Sequence, residues 1–344
     1  MIGTPQAILV INVSRIGDTL LATPALRAIA GTWPRAAIDV LGHPNRVEVL
    51  HALPFLRNIN SISKTSAPFR GWLARLAKPY DLAVVYGYDE ALVRYALRVA
   101  KHVVAFRQAD DSINARLGTL VEAPAFQSDH AVRLALVLPA AVGVLPAGCR
   151  LSYVVTAEER EWAASRLAAS RLAADLPPEH TPLIGLQVAS FPTKAYRDWP
   201  IESFIELCGR IRSHWPHAHF LVFGGAEERR RIETLKAQLG PAATVYAGRL
   251  SLRQTGALMS RLDLYIGVDT GPTHMMSAFA IPLVGLYHGF SRSELIAPLE
   301  HPCFFAVDHP QAGPDCSTEA SMADISVDTV FSRVCAALAP ASPP

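Results

Sequence analysis

The chain has 344 residues, half of them apolar and 18% charged. Such a composition buries large cores, which excludes global disorder, and at roughly 100–200 residues per domain the length predicts two domains. A net charge of +2 argues against a dedicated nucleic-acid binder, whose footprint is clearly basic. The five cysteines (Cys149, Cys208, Cys303, Cys316, Cys335) are widely spaced with no Cys-x-x-Cys pair. That disfavours a disulfide framework or a structural zinc site and fits a reducing compartment. The longest apolar run, Leu134–Cys149, is broken by Pro139 and Pro146 and falls short of the roughly 20 residues a spanning helix needs. With no basic leader before its first apolar stretch, the chain reads as cytoplasmic, a reading compatible with peripheral contact at the inner face of a membrane.

Taken in order, Ala7–Asn12 predicts a buried parallel strand, Asp18–Ala30 a helix, Ala37–Leu41 a strand and Asn45–Leu53 a helix. Asp81–Tyr86 predicts a strand, followed by a helix through Ala100 and a strand over Val103–Phe106. This alternation implies a parallel sheet covered on both faces. The Ala/Arg/Glu-rich stretch Ala157–Leu176 predicts a helix, which Pro177, Pro178 and Pro182 end, marking a domain boundary. The pattern then restarts. Leu183–Val188, Ala218–Phe223, Thr244–Ala247, Leu262–Val268 and Pro282–Tyr287 predict strands. Phe204–His214, Glu227–Leu239, Leu252–Arg261 and Thr273–Ala280 predict the helices between them. Ser326–Leu338 predicts a final amphipathic helix. The expected fold is α/β with two Rossmann-like domains.

Spacing eliminates several machines of that class. There is no Gly-x-Gly-x-x-Gly, no Gly-x-Ser-x-Gly and no Asp-x-Asp, so the dinucleotide fingerprint, the hydrolase elbow and a common metal–nucleotide signature are missing. Gly143 and Gly148 have P-loop spacing, but Cys149 stands where the lysine belongs. Val268-Asp269-Thr270-Gly271 resembles an aspartic-protease loop, yet the chain has no second copy to share the proton. The same tripeptide follows a predicted strand and precedes a predicted helix. It therefore falls at the carboxyl edge of a parallel sheet, where open α/β folds bind ligands. There, free amides at Gly271, the Thr270 hydroxyl and His274 suit a diphosphate, and an ordinary capped helix explains the pattern equally well. The first strand offers a matching edge, Ser14-Arg15-Ile16-Gly17-Asp18-Thr19. Gly17 permits a tight turn; Asp18 reads either as a helix cap or as a general base.

These segments together resemble glycosyltransferase family 9, the ADP-heptose:lipopolysaccharide heptosyltransferases. The resemblance rests on ILVINVSRIGDTLLATPALRAI near the N-terminus, VASFPTKAYRDWPIESF, FLVFGGAEERRR, AGRLSLRQTGALMSRLDLYIG and IGVDTGPTHMMSAFAIPLVGLY, in that order. It implies a GT-B fold whose parallel sheets face a central cleft. An acceptor-binding domain would span 1–177, including the linker helix 157–176. A nucleotide-sugar domain would span 178–325, and the helix in 326–344 would pack back on the first domain. It also implies inversion at the anomeric carbon with no catalytic metal and no cofactor beyond an ADP-sugar co-substrate. Carried over residue by residue, Asp18 matches the catalytic base. Ser190, Lys194, Arg197, Asp269, Thr270, Gly271 and His274 match the diphosphate and sugar contacts, with Lys194 and Arg197 both open as the cation on the departing diphosphate. Glu227 matches the ribose acid, and Leu250 and Ser251 match the loop around the adenine. Ser14, Gly17, Lys64 and Arg70 are assigned to an anionic glycolipid or glycan acceptor, with Arg75 and Lys78 adding to the same basic stretch. Gly87-Tyr88-Asp89-Glu90 departs from the family pattern and leaves the acceptor open. Two other readings stand beside this one: a transferase using another nucleotide sugar or acceptor, and a non-catalytic nucleotide-sugar-binding protein.

Overall fold

Among the described residues twelve strands, most of them apolar, build two parallel sheets, as the alternating pattern predicts. The computed structural model describes residues 3–72, 76, 78–173 and 182–339; Arg75, Pro177 and Pro178 lie outside the described residues. The first unit ends at Val154 and the second starts at Val155.

In the first unit, β1 (Ala7–Asn12), β2 (Ala37–Gly42), β3 (Asn58–Ser61), β4 (Tyr80–Val85), β5 (Ala100–Phe106) and β6 (Thr119–Val121) form a sheet of order β3-β2-β1-β4-β5-β6. Leu9, Ile11, Ala83, Val85, Val103 and Ala105 turn one face into a core completed by Leu92, Val93 and Ala96 of α3 (Glu90–Val99). The predicted helix Asp18–Ala30 is two helices, α1 (Ile16–Leu21) and α2 (Thr23–Thr32). Pro24 has no N–H to give the carbonyl four residues earlier; the Thr23 hydroxyl donates to that carbonyl, Leu20 O, at 2.6 Å instead. The predicted helix Asn45–Leu53 reduces to one tight turn, Val47–Leu50. The apolar run from Leu134 begins inside a ten-residue helix. It overlaps α5 (Ala131–Ala140), which follows the four-residue α4 (Asp111–Asn114). No helix among the described residues is long and apolar enough to cross a membrane.

The second unit holds β7 (Leu183–Gln187), β8 (His219–Phe223), β9 (Ala243–Val245), β10 (Leu264–Val268), β11 (Leu283–Tyr287) and β12 (Phe304–Asp308), in the order β12-β11-β10-β7-β8-β9. Between them run α7 (Ile201–His214), α8 (Arg229–Leu239), α9 (Leu252–Met259), α10 (Gly271–Met276) and α11 (Ser293–Ile296). Two assignments from the sequence are corrected here. Helix α6 (Ala157–Ala173), expected to belong to the first domain, packs on α9 within the second unit. Glu159 holds it there, accepting from Arg253 Nε and Nη2 at 2.7 and 2.6 Å. The boundary therefore falls near 155, not 178. The last helix, α12 (Val327–Leu338), expected to pack back on the first domain, lies on α7 and on β10 to β12. Its stripe Val330, Val334 and Ala337 completes the second unit's own core.

Both sheets repeat one topology. The chain builds outward from a central strand, returns, and builds outward on the other side. The return creates a switch point between β1 and β4 in the first sheet and between β7 and β10 in the second. Loops leaving the carboxyl ends of those strands diverge there and leave room for a ligand.

Candidate active site

At the second switch point, the loop after β7 meets the loop after β10. Trp199 anchors the first of these. Its ring is fully buried, packs edge-on against Phe204 at 4.9 Å and donates from Nε1 to Ile325 O at 2.9 Å. The anchor explains why the preceding polar stretch has a defined shape. Asp198 Oδ1 accepts from the Ser190 amide at 2.7 Å and lies 2.6 Å from Ser190 Oγ, tying the two ends of the loop. The Ser190 hydroxyl, predicted to face the ligand, is thus engaged within the loop itself. Burial raises the Asp198 carboxyl above its ordinary range despite those bonds.

The tied loop presents Arg197 to Asp269. Arg197 Nη1 lies 2.7 Å from Asp269 Oδ2, and His274 Nε2 lies 3.3 Å from Asp269 Oδ1. Asp269 is almost fully buried. Burial favours its neutral form, but His274, Arg197 and Lys194 outweigh that and hold the carboxyl below its ordinary range. Lys194 and Arg197, offered by the sequence as alternatives, therefore differ in position: only Arg197 pairs with Asp269. Both flank Tyr196, with Lys194 Nζ and Arg197 Cζ 5.6 and 5.5 Å from its ring centroid. Burial pushes the Tyr196 phenol up, but Arg197, a bond with Ser291 and Lys194 more than offset it, and the group ends below its ordinary range. Across the strand end, Thr270 precedes α10, and Thr273 Oγ1 donates to Val268 O at 2.6 Å, folding the turn onto its strand. Gly271 and His274 lie in the helix that follows.

Beside this cluster, a cavity of about 360 Å³ is lined by Ser190, Asp198, Glu227, Glu228 and Arg231. Glu227 is where the sequence places a ribose acid. Glu228, which sequence reasoning missed, accepts from the Gly225 amide. Burial raises the Glu228 carboxyl, and the charges of Glu227 and Asp198 add to the shift. The doubled acid after Gly224-Gly225 was the available signal. Ser251 has a structural use: its hydroxyl accepts from Gln254 N at 3.1 Å, and Gln254 Oε1 accepts from Ser251 N at 3.0 Å, a capping box at the start of α9. Leu250 precedes that cap and is half-buried.

At the first switch point, Asp18 stands in the first turn of α1 after β1. Its side chain is exposed, and its carboxylate has no partner among the described residues. A chain of hydroxyl contacts shapes the turn around it. Ser14 Oγ lies 3.2 Å from Thr19 Oγ1, which donates to Arg15 O at 2.8 Å, and Arg46 Nη1 donates to Ser14 O at 3.1 Å. Gly17 lies inside α1. The predicted acceptor cations are partly committed. Lys64 Nζ pairs with Asp89 Oδ2 at 2.8 Å, and Arg70 Nη1 donates to Ser61 O at 2.7 Å. This accounts for the departure at Gly87–Glu90. Gly87 takes a positive φ of 90°, and Asp89 caps α3, accepting from Ala91 N at 3.1 Å, while its other oxygen meets Lys64. Among the described residues no cluster of three or more His, Cys, Asp or Glu forms a candidate metal site.

Comparisons with known proteins meet this geometry. The profile of glycosyltransferase family 9 (heptosyltransferase) matches residues 149–325, about half of the chain. The lipopolysaccharide core heptosyltransferase OpsX of Haemophilus influenzae is 30% identical over 102 residues, covering 30% of this chain and 29% of that protein. Lipopolysaccharide heptosyltransferase 3 of Escherichia coli is 22% identical over 289 residues, 79% of this chain and 80% of that one. In fold, the chain is similar to the E. coli ADP-heptose lipopolysaccharide heptosyltransferase II, with a TM-score of 0.78 at 20% identity over 96% of this chain and 98% of that one.

Proposed function

The chain belongs to glycosyltransferase family 9, and on that premise we propose that it transfers a heptose from ADP-heptose to a lipopolysaccharide core or a related cell-surface glycan. The names of its relatives support donor and acceptor. The observation that carries the reading is the Arg197–Asp269–His274 cluster at the second switch point. Asp269 holds a guanidinium and an imidazole together in a buried place, and both suit the charge of a nucleoside diphosphate.

In the proposed reaction an acceptor hydroxyl attacks the anomeric carbon of the donor. The new oxygen–carbon bond forms as the bond from that carbon to the diphosphate oxygen breaks. ADP leaves with the electron pair, and the configuration inverts. Asp18 takes the hydroxyl proton. An exposed, unpaired carboxylate can accept it without first breaking an ion pair. Arg197, Lys194 and His274 offset the charge growing on the leaving diphosphate. Glu227 and Glu228 are the acids available to a ribose in the adjoining cavity. Lys64 and Arg70 would meet an acceptor only by exchanging their present partners. No metal has a step in this scheme.

Thermal-shift titration with ADP, ADP-heptose, UDP and GDP tests the donor. ADP and ADP-heptose are expected to stabilise the protein most, and a larger shift with UDP overturns the ADP-heptose assignment. Transfer should persist in EDTA. Mass spectrometry of the surface glycans of a deletion strain identifies the acceptor: a glycan truncated at a heptose is expected, and unchanged glycans overturn the proposed acceptor class.

A further inference from the structure

A second cavity of the second unit, about 500 Å³, is lined by none of the residues assigned above to donor or acceptor, although it takes in Arg229 and Arg249 from two of the family-like segments. All three residues of β9 line it, and β9 is the outermost strand of its sheet. Helix α8 contributes Arg229, Glu233 and Lys236, four and three residues apart and so on one face. Helix α6 adds Arg166, and the loop after β9 adds Arg249. Four cations thus share a concavity with a single carboxylate.

That carboxylate does little to neutralise them. Glu233 Oε1 is 3.6 Å from Arg229 Nε, and both side chains are about two-thirds exposed, a geometry in which an ion pair contributes little. Lys236 Nζ donates to the carbonyls of Gly240 and Ala243, so its position is set by the backbone while its charge meets no carboxylate. The Arg166 guanidinium lies 5.8 Å from the ring centroid of the buried Tyr246, a cation–π distance that orients it at the cavity wall. The Arg249 guanidinium has no partner among the described residues. Ala243, Val245 and Ala247 give the cavity an apolar floor. A volume of this size is ordinary for a small-molecule site. Guanidinium groups match phosphate oxygens two at a time, and like charges crowded into one concavity favour a multivalent counter-ion.

We propose that this cavity binds a multiply charged phosphate compound, with phosphates on Arg166, Arg229 and Arg249 and an apolar portion against β9. It is distinct from the diphosphate position at Arg197. The inference does not depend on which sugar the enzyme transfers.

Calorimetric titration of the full chain with inorganic tripolyphosphate tests it. Saturable binding is expected, at least tenfold weaker in the double variant Arg166→Ser/Arg249→Ser, whose thermal midpoint serves as the check on folding. The binding event that the double variant weakens should persist in Lys194→Ala. Binding that the double variant leaves unchanged overturns the proposal. So does binding lost in Lys194→Ala, because the anion would then sit at the diphosphate position. The single variant Arg249→Glu gives the same reading should the double variant fold poorly. Sedimentation with phosphatidylglycerol vesicles identifies the source of the phosphate. Retention that depends on the same arginines upholds the site with a lipid headgroup as its ligand. Absence of retention upholds it with a soluble phosphate compound.

Discussion

Asp18 and Asp269 occupy comparable places in the two sheets, each just beyond a strand that borders a switch point. Their surroundings are opposite. Asp18 is exposed and has no partner among the described residues, while Asp269 is buried between Arg197 and His274. The neighbouring cations show the reverse pattern. In the first unit Lys64 is spent on Asp89 and Arg70 on a carbonyl. In the second, Arg197 and Lys194 gather around Tyr196 with only one carboxylate paired to them. One topology therefore supports two uses of an aspartate. A carboxylate with no partner is free to take a proton; a carboxylate already committed to cations can only organise them.

The comparison is broken most directly at Asp18. Asp18→Asn should lower transfer roughly 100- to 10,000-fold, the range for a lost general base. It should change unfolding free energy by less than about 1 kcal/mol, since no side-chain contact is removed. Steady-state transfer assays beside a urea melt check both, and unchanged turnover would remove Asp18 from the mechanism. Arg197→Ala should do the opposite in stability. It leaves a buried carboxylate with His274 alone, at a cost of about 3 kcal/mol, and weakens ADP binding measured by calorimetric titration. A variant as stable as the parent would show that the ion pair is not what holds Asp269.

Acid titration sharpens the contrast at smaller amplitude. The Asp269 carboxyl is held below its ordinary value of 3.8. Asp81 is lowered to about 2, first by Lys101 and then by the amides of Gln6 and Ala7. A carboxyl whose folded value lies below its unfolded one contributes stability in full above the unfolded value. That contribution is lost as pH falls through the folded one. Thermal midpoints should therefore drop between about pH 4 and pH 2. Asp81→Asn should flatten part of that slope. The smallest effect is expected at Lys64. Its pair with Asp89 is exposed, so Lys64→Ala should cost at most about 1 kcal/mol; a larger loss in a urea melt would make the pair a structural element.

Much of this arrangement was legible beforehand because it depends on local chemistry. Short apolar runs marked nine of the twelve strands among the described residues, since strands buried on both faces need no alternation. The three strands missed, Asn58–Ser61, Thr119–Val121 and Phe304–Asp308, are sheet edges with partly exposed side chains. Asn58–Ser61 is polar and Thr119–Val121 only three residues long, so neither stands out from a loop until a neighbouring strand supplies the hydrogen bonds. In the site, Asp269, Thr270, Gly271 and His274 could be found because they are contiguous. Asp198 and Glu228 could not, because what distinguishes them is burial and a bond to a partner several residues or a whole turn away.

By itself, then, the sequence determined the alternating α/β class, the two-domain plan and the family, all of which rest on periodicity and short contiguous motifs. Only the tertiary structure decided which helix belongs to which unit, which cation pairs with Asp269, and which hydroxyls are already engaged. It placed α6 and α12 in the second unit, because the Glu159–Arg253 pair joins α6 to α9 and the apolar stripe of α12 enters that unit's core. It separated Arg197 from Lys194, because the anchored Trp199 aims only one of them at a buried carboxylate. Pairing and burial are properties of residues brought together from distant parts of the chain, and no local pattern encodes them.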